Sequence, residues 1–245
     1  MKALTLNQTK QWLKTSQHPM AKMIFSQLKK LFRFELPAPK FILRPMYFIY
    51  QFSTQLFLTF TRVIIWTPLL KGRLHRFGEN LNLYGGLPYI SGPLQISLGD
   101  NCRISGQSTL TGRSCAPQTP QLILGDNIDI GWMTTIAVAT RVQLGNNVRI
   151  AGRALLAGYP GHPIDAEARA IGLPETDDQV GDIVLEDDVW LATGVSVMAG
   201  VTIGQGTIVA AGSVVTHDLP AMVLAAGIPA KVIRSLAHNN SAQEL

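Results

Sequence analysis

The densest chemistry in the chain lies between residues 158 and 169, Gly-Tyr-Pro-Gly-His-Pro-Ile-Asp-Ala-Glu-Ala-Arg, with His162 between Gly161 and Pro163. Imidazole is the side chain best matched to proton exchange near neutral pH. On a loop beside a rigid scaffold it can take a proton from a hydroxyl or an amine as general base. No partner for it stands nearby in sequence, so a surface histidine in a polar loop is the plain alternative. Cys102 and Cys115 are the only cysteines. They are too few for a disulfide framework, and no Cys-x-x-Cys pair offers zinc or redox chemistry.

The scaffold is legible as a repeat. Counting by six from Leu185 meets Leu191, Val197, Ile203, Val209 and Val215, all aliphatic. Leu98, Ile104 and Leu110, then Leu124, Ile130 and Ile136, then Leu144, Ile150 and Leu156 keep the same step. Gly or Ala often follows the anchor, as at Gly99, Gly125, Gly131, Gly145, Ala151, Ala192, Gly204 and Ala210. Four residues after it comes a small or β-branched residue, as at Cys102, Ser108, Thr134, Ala154, Val195, Thr207 and Ser213. Six residues suffice for one short strand and one corner. Three such units close a triangular coil, and coils stack through backbone hydrogen bonds. The repeats predict a mainly β solenoid of about five coils, roughly 24 Å tall. Cys102 then belongs to corner packing. The period breaks at 112–122, 140–143 and 158–183, and insertions in solenoids are often functional. His162 lies in the longest.

These residues resemble the hexapeptide-repeat acyltransferases, and the galactoside and maltose acetyltransferases among them. The similarity covers about residues 95–236. It rests on Gly161-His162-Pro163-Ile164-Asp165, Val189-Trp190-Leu191, Ala210-Ala211-Gly212-Ser213-Val214-Val215-Thr216 and Ala226-Gly227-Ile228-Pro229-Ala230-Lys231-Val232-Ile233-Arg234. The resemblance implies a left-handed parallel β-helix acting as a homotrimer, with acetyl-CoA as co-substrate and no metal. It implies that His162 is the general base for direct transfer to an acceptor hydroxyl, with Trp190 beside the site. It places CoA between subunits, against Thr193, Ala211, Thr216, Lys231 and Arg234. Lys231 and Arg234 suit its phosphates, as a point charge and a planar fork. His217 stands where the family commonly has Lys, which weakens a phosphate contact. Asp165 either orients the His162 loop or is an exposed polar residue. The galactoside branch carries an Asn and acids before the histidine loop. Here residues 133–140 read Met-Thr-Thr-Ile-Ala-Val-Ala-Thr, so the expected acceptor is neither galactoside nor maltose. Asn146 and Asn147, in a Gly-Asn-Asn context, read as a corner turn.

The net charge of +5 hides a division. Residues 1–80 carry thirteen Lys/Arg against Glu35 and Glu79, a net of +11, and all nine Phe. Residues 81–245 carry eight Lys/Arg against fourteen acids, a net of −6. Residues 20–34 alternate apolar and basic at helical spacing. Pro37, Pro39 and Pro45 follow as breaks, and 46–66 form a second expected helix. Seventeen uncharged residues separate Arg44 from Arg62, with Gln51, Ser53, Thr54, Gln55, Thr59 and Thr61 among them. That run is too short and polar for a confident span. The expected organisation is a basic, aromatic helical region at 1–80, a β-helix at 81–236 and a disordered tail at 237–245. The first region suits an anionic membrane surface or packing on the solenoid. No recognition motif accompanies the charge, so nucleic acid is not the expected partner.

The hydrophobic share of 47% and charged share of 15% exclude global disorder. The first thirty residues lack the apolar core of a secretory signal, so the cytoplasm is the expected compartment, with a peripheral place at the inner membrane. The expected function is acetyl-CoA-dependent O-acetylation of a sugar hydroxyl, on a lipid-linked or nascent cell-surface polysaccharide. N-acetylation of an amino sugar would use the same base. A non-enzymatic scaffold has no reason to keep the His162 loop and Trp190. A metal-dependent hydratase on this solenoid needs three histidines on zinc, whereas His18, His75, His217 and His238 are scattered away from His162.

Overall fold

The computed structural model describes residues 6–236; the expected disordered tail lies outside the described residues. The chain forms two compact units, Met1–Thr54 and Gln55–Leu245.

The first unit is helical. Helix α1 is Leu6–Thr15 and α2 is Pro19–Phe32. His18 caps α2, accepting a hydrogen bond from the Met20 N–H, and Pro19 takes the first helical position. The expected helix at 46–66 starts earlier, as α3, Lys40–Thr61, with Pro45 inside it. Pro45 was expected to break the chain. It forfeits one backbone donor near the start of a helix long enough to continue past it.

The second unit holds the end of α3, a π-helical turn at Arg62–Trp66, α4 at Thr67–Arg73, and the solenoid. Leu70 of α4 is 3% exposed and joins the solenoid core, with Trp66, Leu74 and Leu81 packed against it. Arg62 Nη1 donates to Asn82 Oδ1 at 2.7 Å and Arg73 Nη2 to the Leu94 carbonyl at 2.9 Å. The helix end thus closes the apolar opening that a stacked coil would otherwise leave.

The solenoid has three parallel faces. Face I stacks Asn82–Tyr84, Arg103–Ser105, Asp129–Ile130, Arg149–Ile150, Trp190–Leu191, Ile208–Val209 and Val223–Gly227, then adds the antiparallel Ala230–Ser235. Face II stacks Tyr89–Ser91, Thr109–Gly112, Thr135–Val138, Leu155–Ala157, Ser196–Met198 and Val214–Val215. Face III stacks Gln95–Leu98, Gln121–Leu124, Arg141–Leu144, Ile183–Leu185 and Thr202–Ile203. This is the expected left-handed parallel β-helix. The six strands of face II count six coils, one more than the repeat spacing gave, because a first coil forms around Leu83 and Ile90. The expected break at 140–143 is no loop: Arg141–Leu144 is a face III strand, and two inward residues, Val142 and Leu144, fill a wider side.

All fifteen anchors are buried, none more than 6% exposed. The seven small or β-branched residues four places on are buried too. Cys102 is fully buried, its thiol directed at the Gly99 and Gly125 carbonyls, and burial pushes its pKa up. The corner from face III to face I repeats one device. Asn80, Asn101, Asn127, Asn147 and Asp188 all adopt positive φ, between 55° and 62°, which short polar side chains tolerate. Their side chains form a ladder: Asn127 Nδ2 donates to Asn147 Oδ1 at 2.8 Å, and Asn147 Nδ2 to Asp188 Oδ1 at 2.9 Å. The Gly-Asn-Asn corner is therefore a turn, as read from its composition.

Small residues after the anchor are needed for coil spacing. A Cβ on Gly131 would lie 2.6 Å from the Gly152 nitrogen and 2.7 Å from the Ala151 carbonyl carbon. Both are backbone, so the next coil has to shift. Gly131→Ala is expected to lower unfolding free energy by about 1–3 kcal/mol, read as an earlier urea midpoint. An unchanged midpoint would mean the coils slide freely.

Candidate functional site

Two insertions, 113–120 and 158–182, leave the same corner, between faces II and III. The longer one begins at Gly158, whose N–H donates to the Ala137 carbonyl at 2.8 Å. Tyr159 Oη donates to Thr111 Oγ1 at 2.9 Å, binding the loop to face II. Gly161 takes φ of +82°, a turn that favours glycine. His162 is exposed and Pro163 is buried. Arg169 Nη1 donates to the Pro163 and Ile164 carbonyls at 2.9 and 2.8 Å. Asp165 caps the short helix α5, Ala166–Ala170, accepting from the Ala168 N–H at 2.8 Å. Asp165 is itself exposed, so it is both a surface polar residue and a local cap, and it makes no contact with His162 that would choose between its two readings. His162 is thus the free tip of a braced loop, with no hydrogen-bond partner for its ring among the described residues.

The insertions are joined by a buried ion pair. Arg113 Nε donates to Glu175 Oε1 at 2.7 Å, Nη2 to the Glu175 carbonyl at 3.0 Å, and Nη1 to Asp177 Oδ1 at 2.7 Å. Both Arg113 and Glu175 side chains are 5% exposed, whereas Asp177 is 82% exposed. The Cys115 thiol adds a contact to Glu175 Oε1 at 3.5 Å. Burial pushes the Glu175 carboxyl up, but its backbone hydrogen bond, Arg113 and Cys115 outweigh that and leave it below the ordinary carboxylate value. Burial likewise works against the Arg113 charge, and the two carboxylates more than reverse it.

The residues expected against CoA fall into separate groups on one chain. Thr193 and Ala211 stack at the corner from face I to face II, where the Gly212 N–H donates to the Thr193 carbonyl at 2.9 Å. Thr216 and His217 lie at the corner that carries the His162 loop, two coils on; Thr216 Oγ1 and His217 Nδ1 are 2.9 Å apart. Trp190 faces outward from face I, 48% exposed, between Arg149 and Ile208 in register. Lys231 and Arg234 lie on the last strand. An unbroken strand would point residues three apart to opposite sides. Here a bulge pairs Lys231 with Ala226 and Arg234 with Leu224, so both cations share the face opposite buried Ala225. Neither has an acidic partner among the described residues. Two unpaired cations on one face fit a polyphosphate.

Two features were missed in sequence. Arg113 and Glu175 are 62 residues apart, and only their placement in two insertions hinted at a meeting. Trp132 is 44% exposed at the face I to face II corner, with the Arg153 guanidinium 4.8 Å over its ring. Its indole lies across Gly152, where a Cβ would come within 2.7 Å of Nε1. On the acceptor side of 133–140, only Thr135 and Ala137 of the face II strand point outward. Among the described residues, no group of three or more His, Cys, Asp or Glu is placed to hold a metal ion.

Residues 182–217 match the bacterial transferase hexapeptide (six repeats) family. The match covers the later coils of the solenoid, and the likeness to hexapeptide-repeat acyltransferases read from the sequence stands. Among curated proteins, the chain is 39% identical over 81 residues to the Saccharomyces cerevisiae protein named as acetyltransferase YJL218W, covering 33% of this chain and 39% of that one. It is 40% identical over 154 residues to the Schizosaccharomyces pombe protein named as acetyltransferase C18B11.09c, covering 61% of this chain and 60% of that one. The chain therefore aligns with less than two thirds of either relative. Among solved structures, a variant of AntD, an N-acyltransferase from Bacillus cereus in complex with dTDP-4-amino-4,6-dideoxyglucose and coenzyme A, superposes with a TM-score of 0.56 at 19% identity, covering 70% of this chain and 89% of that one. At that identity it is the fold that is shared.

The buried pair makes a prediction that is independent of activity. Arg113→Ala leaves Glu175 buried without a counter-charge and is expected to cost about 3–5 kcal/mol of stability. Folding lowers the Glu175 pKa below its ordinary 4.5. Its contribution is therefore complete above that value and is lost as pH falls through the folded value. Between neutral pH and about pH 3, the native chain should lose more stability than Glu175→Gln does. Equal losses in urea titrations would show that the pair contributes nothing.

Proposed function

We propose that this chain is an acetyl-CoA-dependent O-acetyltransferase acting on a sugar hydroxyl, with His162 as general base. The observation that carries the reading is the His162 loop: an imidazole held at the tip of a segment braced by Tyr159, Arg169 and the Asp165 cap. A base used for catalysis needs this combination of an open ring and a fixed backbone. In the proposed reaction His162 removes the proton from the acceptor hydroxyl as the oxygen attacks the thioester carbonyl. The tetrahedral oxyanion is held by backbone N–H donors at a solenoid corner. The C–S bond then breaks, CoA leaves as thiolate, and the imidazolium returns its proton to the sulfur. The O-acetyl sugar and free CoA result, with no covalent enzyme intermediate.

Lys231 and Arg234 would hold the CoA phosphates, and Thr193, Ala211, Thr216 and His217 would line its path, with Trp190 beside the reacting end. These groups occupy different corners of one prism, a strand of three or four residues or roughly 10–13 Å apart. No single chain folds them into one pocket. A homotrimer, in which one subunit's corner faces another subunit's flank, supplies that closure. The proposed acceptor is a lipid-linked or nascent cell-surface polysaccharide. The sparse polar lining near Thr135 and Ala137 suits a substrate held by its extension more than by one ring, and the basic N-terminal region suits work at a membrane surface. The relatives named as acetyltransferases support the reaction class.

His162→Ala is expected to lower turnover about 10²–10⁴-fold while leaving acetyl-CoA affinity near that of the native chain. Turnover within a few-fold of native would remove His162 from the mechanism. Lys231→Ala with Arg234→Ala is expected to raise the KM for acetyl-CoA, with kcat little changed, because phosphate contacts persist from ground state to transition state. Product on an amine rather than a hydroxyl, read by mass spectrometry after mild alkali, would change the reading to N-transfer.

A further inference from the structure

From Lys40 to Ser53, fourteen consecutive residues of α3 are all solvent-exposed. Met46, Tyr47, Phe48, Ile49 and Tyr50 are 57–69% exposed. Five consecutive positions at about 100° each pass round the whole helix, so no rotation of α3 hides them. A helix apolar on most sides belongs in an apolar medium. Crossing a bilayer is a different matter: no described helix is long and apolar enough for that.

The charged and amide residues of α3 are not scattered. Lys40, Arg44, Gln51 and Gln55 are spaced by four, seven and four residues, which keeps them within about 60° of one another on a 3.6-residue helix. Gln51 Nε2 donates to Tyr47 Oη beside that stripe. Most of the remaining circumference, including Phe41, Met46, Ile49 and Phe52, is aromatic or aliphatic and exposed; it is interrupted by the hydroxyls of Ser53, Thr54, Thr59 and Thr61, of which Ser53 Oγ donates back to the Tyr50 carbonyl at 3.0 Å. Helix α2 repeats the theme, with Met20, Met23 and Leu31 exposed and Lys22, Lys29 and Lys30 on the same helix. Between Glu35 and Glu79 no acidic residue occurs, while Lys40, Arg44, Arg62, Lys71, Arg73 and Arg76 do.

We propose that α3 lies lengthwise in the surface of an anionic phospholipid membrane. The Lys40, Arg44, Gln51 and Gln55 stripe faces the headgroups and the remaining girth lies among the acyl chains. Charge decides the lipid, since cations without nearby acids are drawn to an anionic surface. Geometry decides against a second copy of α3 as the occupant. One helix partner covers one stripe, whereas the apolar surface runs round most of α3. The inference deepens the membrane-side part of the function proposed above and is read without donor or acceptor. Loss of transferase activity and loss of membrane binding are therefore separate results.

The test is flotation of the full chain with vesicles of phosphatidylcholine alone and of phosphatidylcholine mixed with phosphatidylglycerol. The expected result is flotation with the mixed vesicles, weakened by salt and by omission of phosphatidylglycerol. Phe48→Asp with Phe52→Asp should weaken binding at least about ten-fold, with circular dichroism unchanged. Lys40→Glu with Arg44→Glu should abolish the preference for the anionic lipid. Native protein that stays at the bottom of both gradients overturns the proposal. So does native-like flotation of the aspartate variant. A stable oligomer that dissociates on Phe48→Asp and never floats would make a second copy the occupant and overturn it equally.

Discussion

Everything in the solenoid follows from one constraint: each coil's backbone must bond to the next coil along its whole length. Asp129 donates to the Val148 carbonyl at 3.0 Å, Arg149 to the Val189 carbonyl at 2.9 Å, and Trp190 to the Thr207 carbonyl at 3.0 Å. Such a stack allows no local change of path, because a displaced corner would unpair its neighbours above and below. Corner composition is therefore set by distance. At Gly99, Gly125, Gly131, Gly145 and Gly204 the residue after the anchor has no Cβ because the next coil's backbone lies within 3 Å of where one would be. At the face III to face I corner, asparagines supply positive φ and use their side chains to tie corner to corner. Inward positions repeat an aliphatic residue because the prism is only one side chain deep on each face.

The same constraint explains why chemistry gathers on insertions. A coil residue pointing out has its backbone fully committed, so it can offer a side chain but not move one. An insertion between coils is free of the ladder and must find its own supports. The 158–182 loop finds them in Tyr159, in the Arg169 bonds to two carbonyls, and in the pair between Arg113 and Glu175. Stacking makes that pair possible: positions 62 residues apart in sequence leave one corner one above the other. A buried ion pair is a poor source of net stability. Its value here is geometric, since it permits one arrangement of two loops that have few apolar contacts of their own.

How much of this was legible depended on whether the information was periodic. The anchors from Leu98 to Val215 could be read because each coil repeats the same burial, and the small residue four places on could be read for the same reason. Leu83 and Ile90 escaped because their steps to the next anchors are seven and eight residues, where Gly85 and Gly86 lengthen one corner and a four-residue strand widens face III. The apparent break at 140–143 has that second cause. Pro45 was misplaced because a proline rule about helix interiors is weaker than the helix-forming run on both sides of it. The His162 loop was legible as a motif, but its bracing was not, since hydrogen bonds from Arg169 to carbonyls leave no compositional trace. Arg113 with Glu175 and Trp132 with Arg153 are aperiodic pairings, and nothing short of the folded chain brings them together.

The charge division, drawn at residue 80, separates the helices from the solenoid rather than the two compact units, which part at residue 54. The solenoid can carry net negative charge because its core is closed and its surface is solvated, with Leu70 sealing one end. The helices cannot be understood by the same rule. None of the first fourteen residues of helix α3 is buried, and its apolar girth is too broad for the narrow seam of a helix pair. A water-exposed run of this kind would favour aggregation unless another phase received it. In the membrane proposal, cationic residues without acids would select the surface of that phase, and the stripe from Lys40 to Gln55 would set the side that stays wet. The proposed base on a rigid prism and the proposed membrane helix on the same chain are mutually consistent if the acceptor is itself held at a surface. Restricting both partners to one plane replaces a three-dimensional search by a two-dimensional one and raises their effective concentration. A site of that proposed kind would need few polar contacts to each sugar, in keeping with the outward Thr135 and Ala137 of the face II strand.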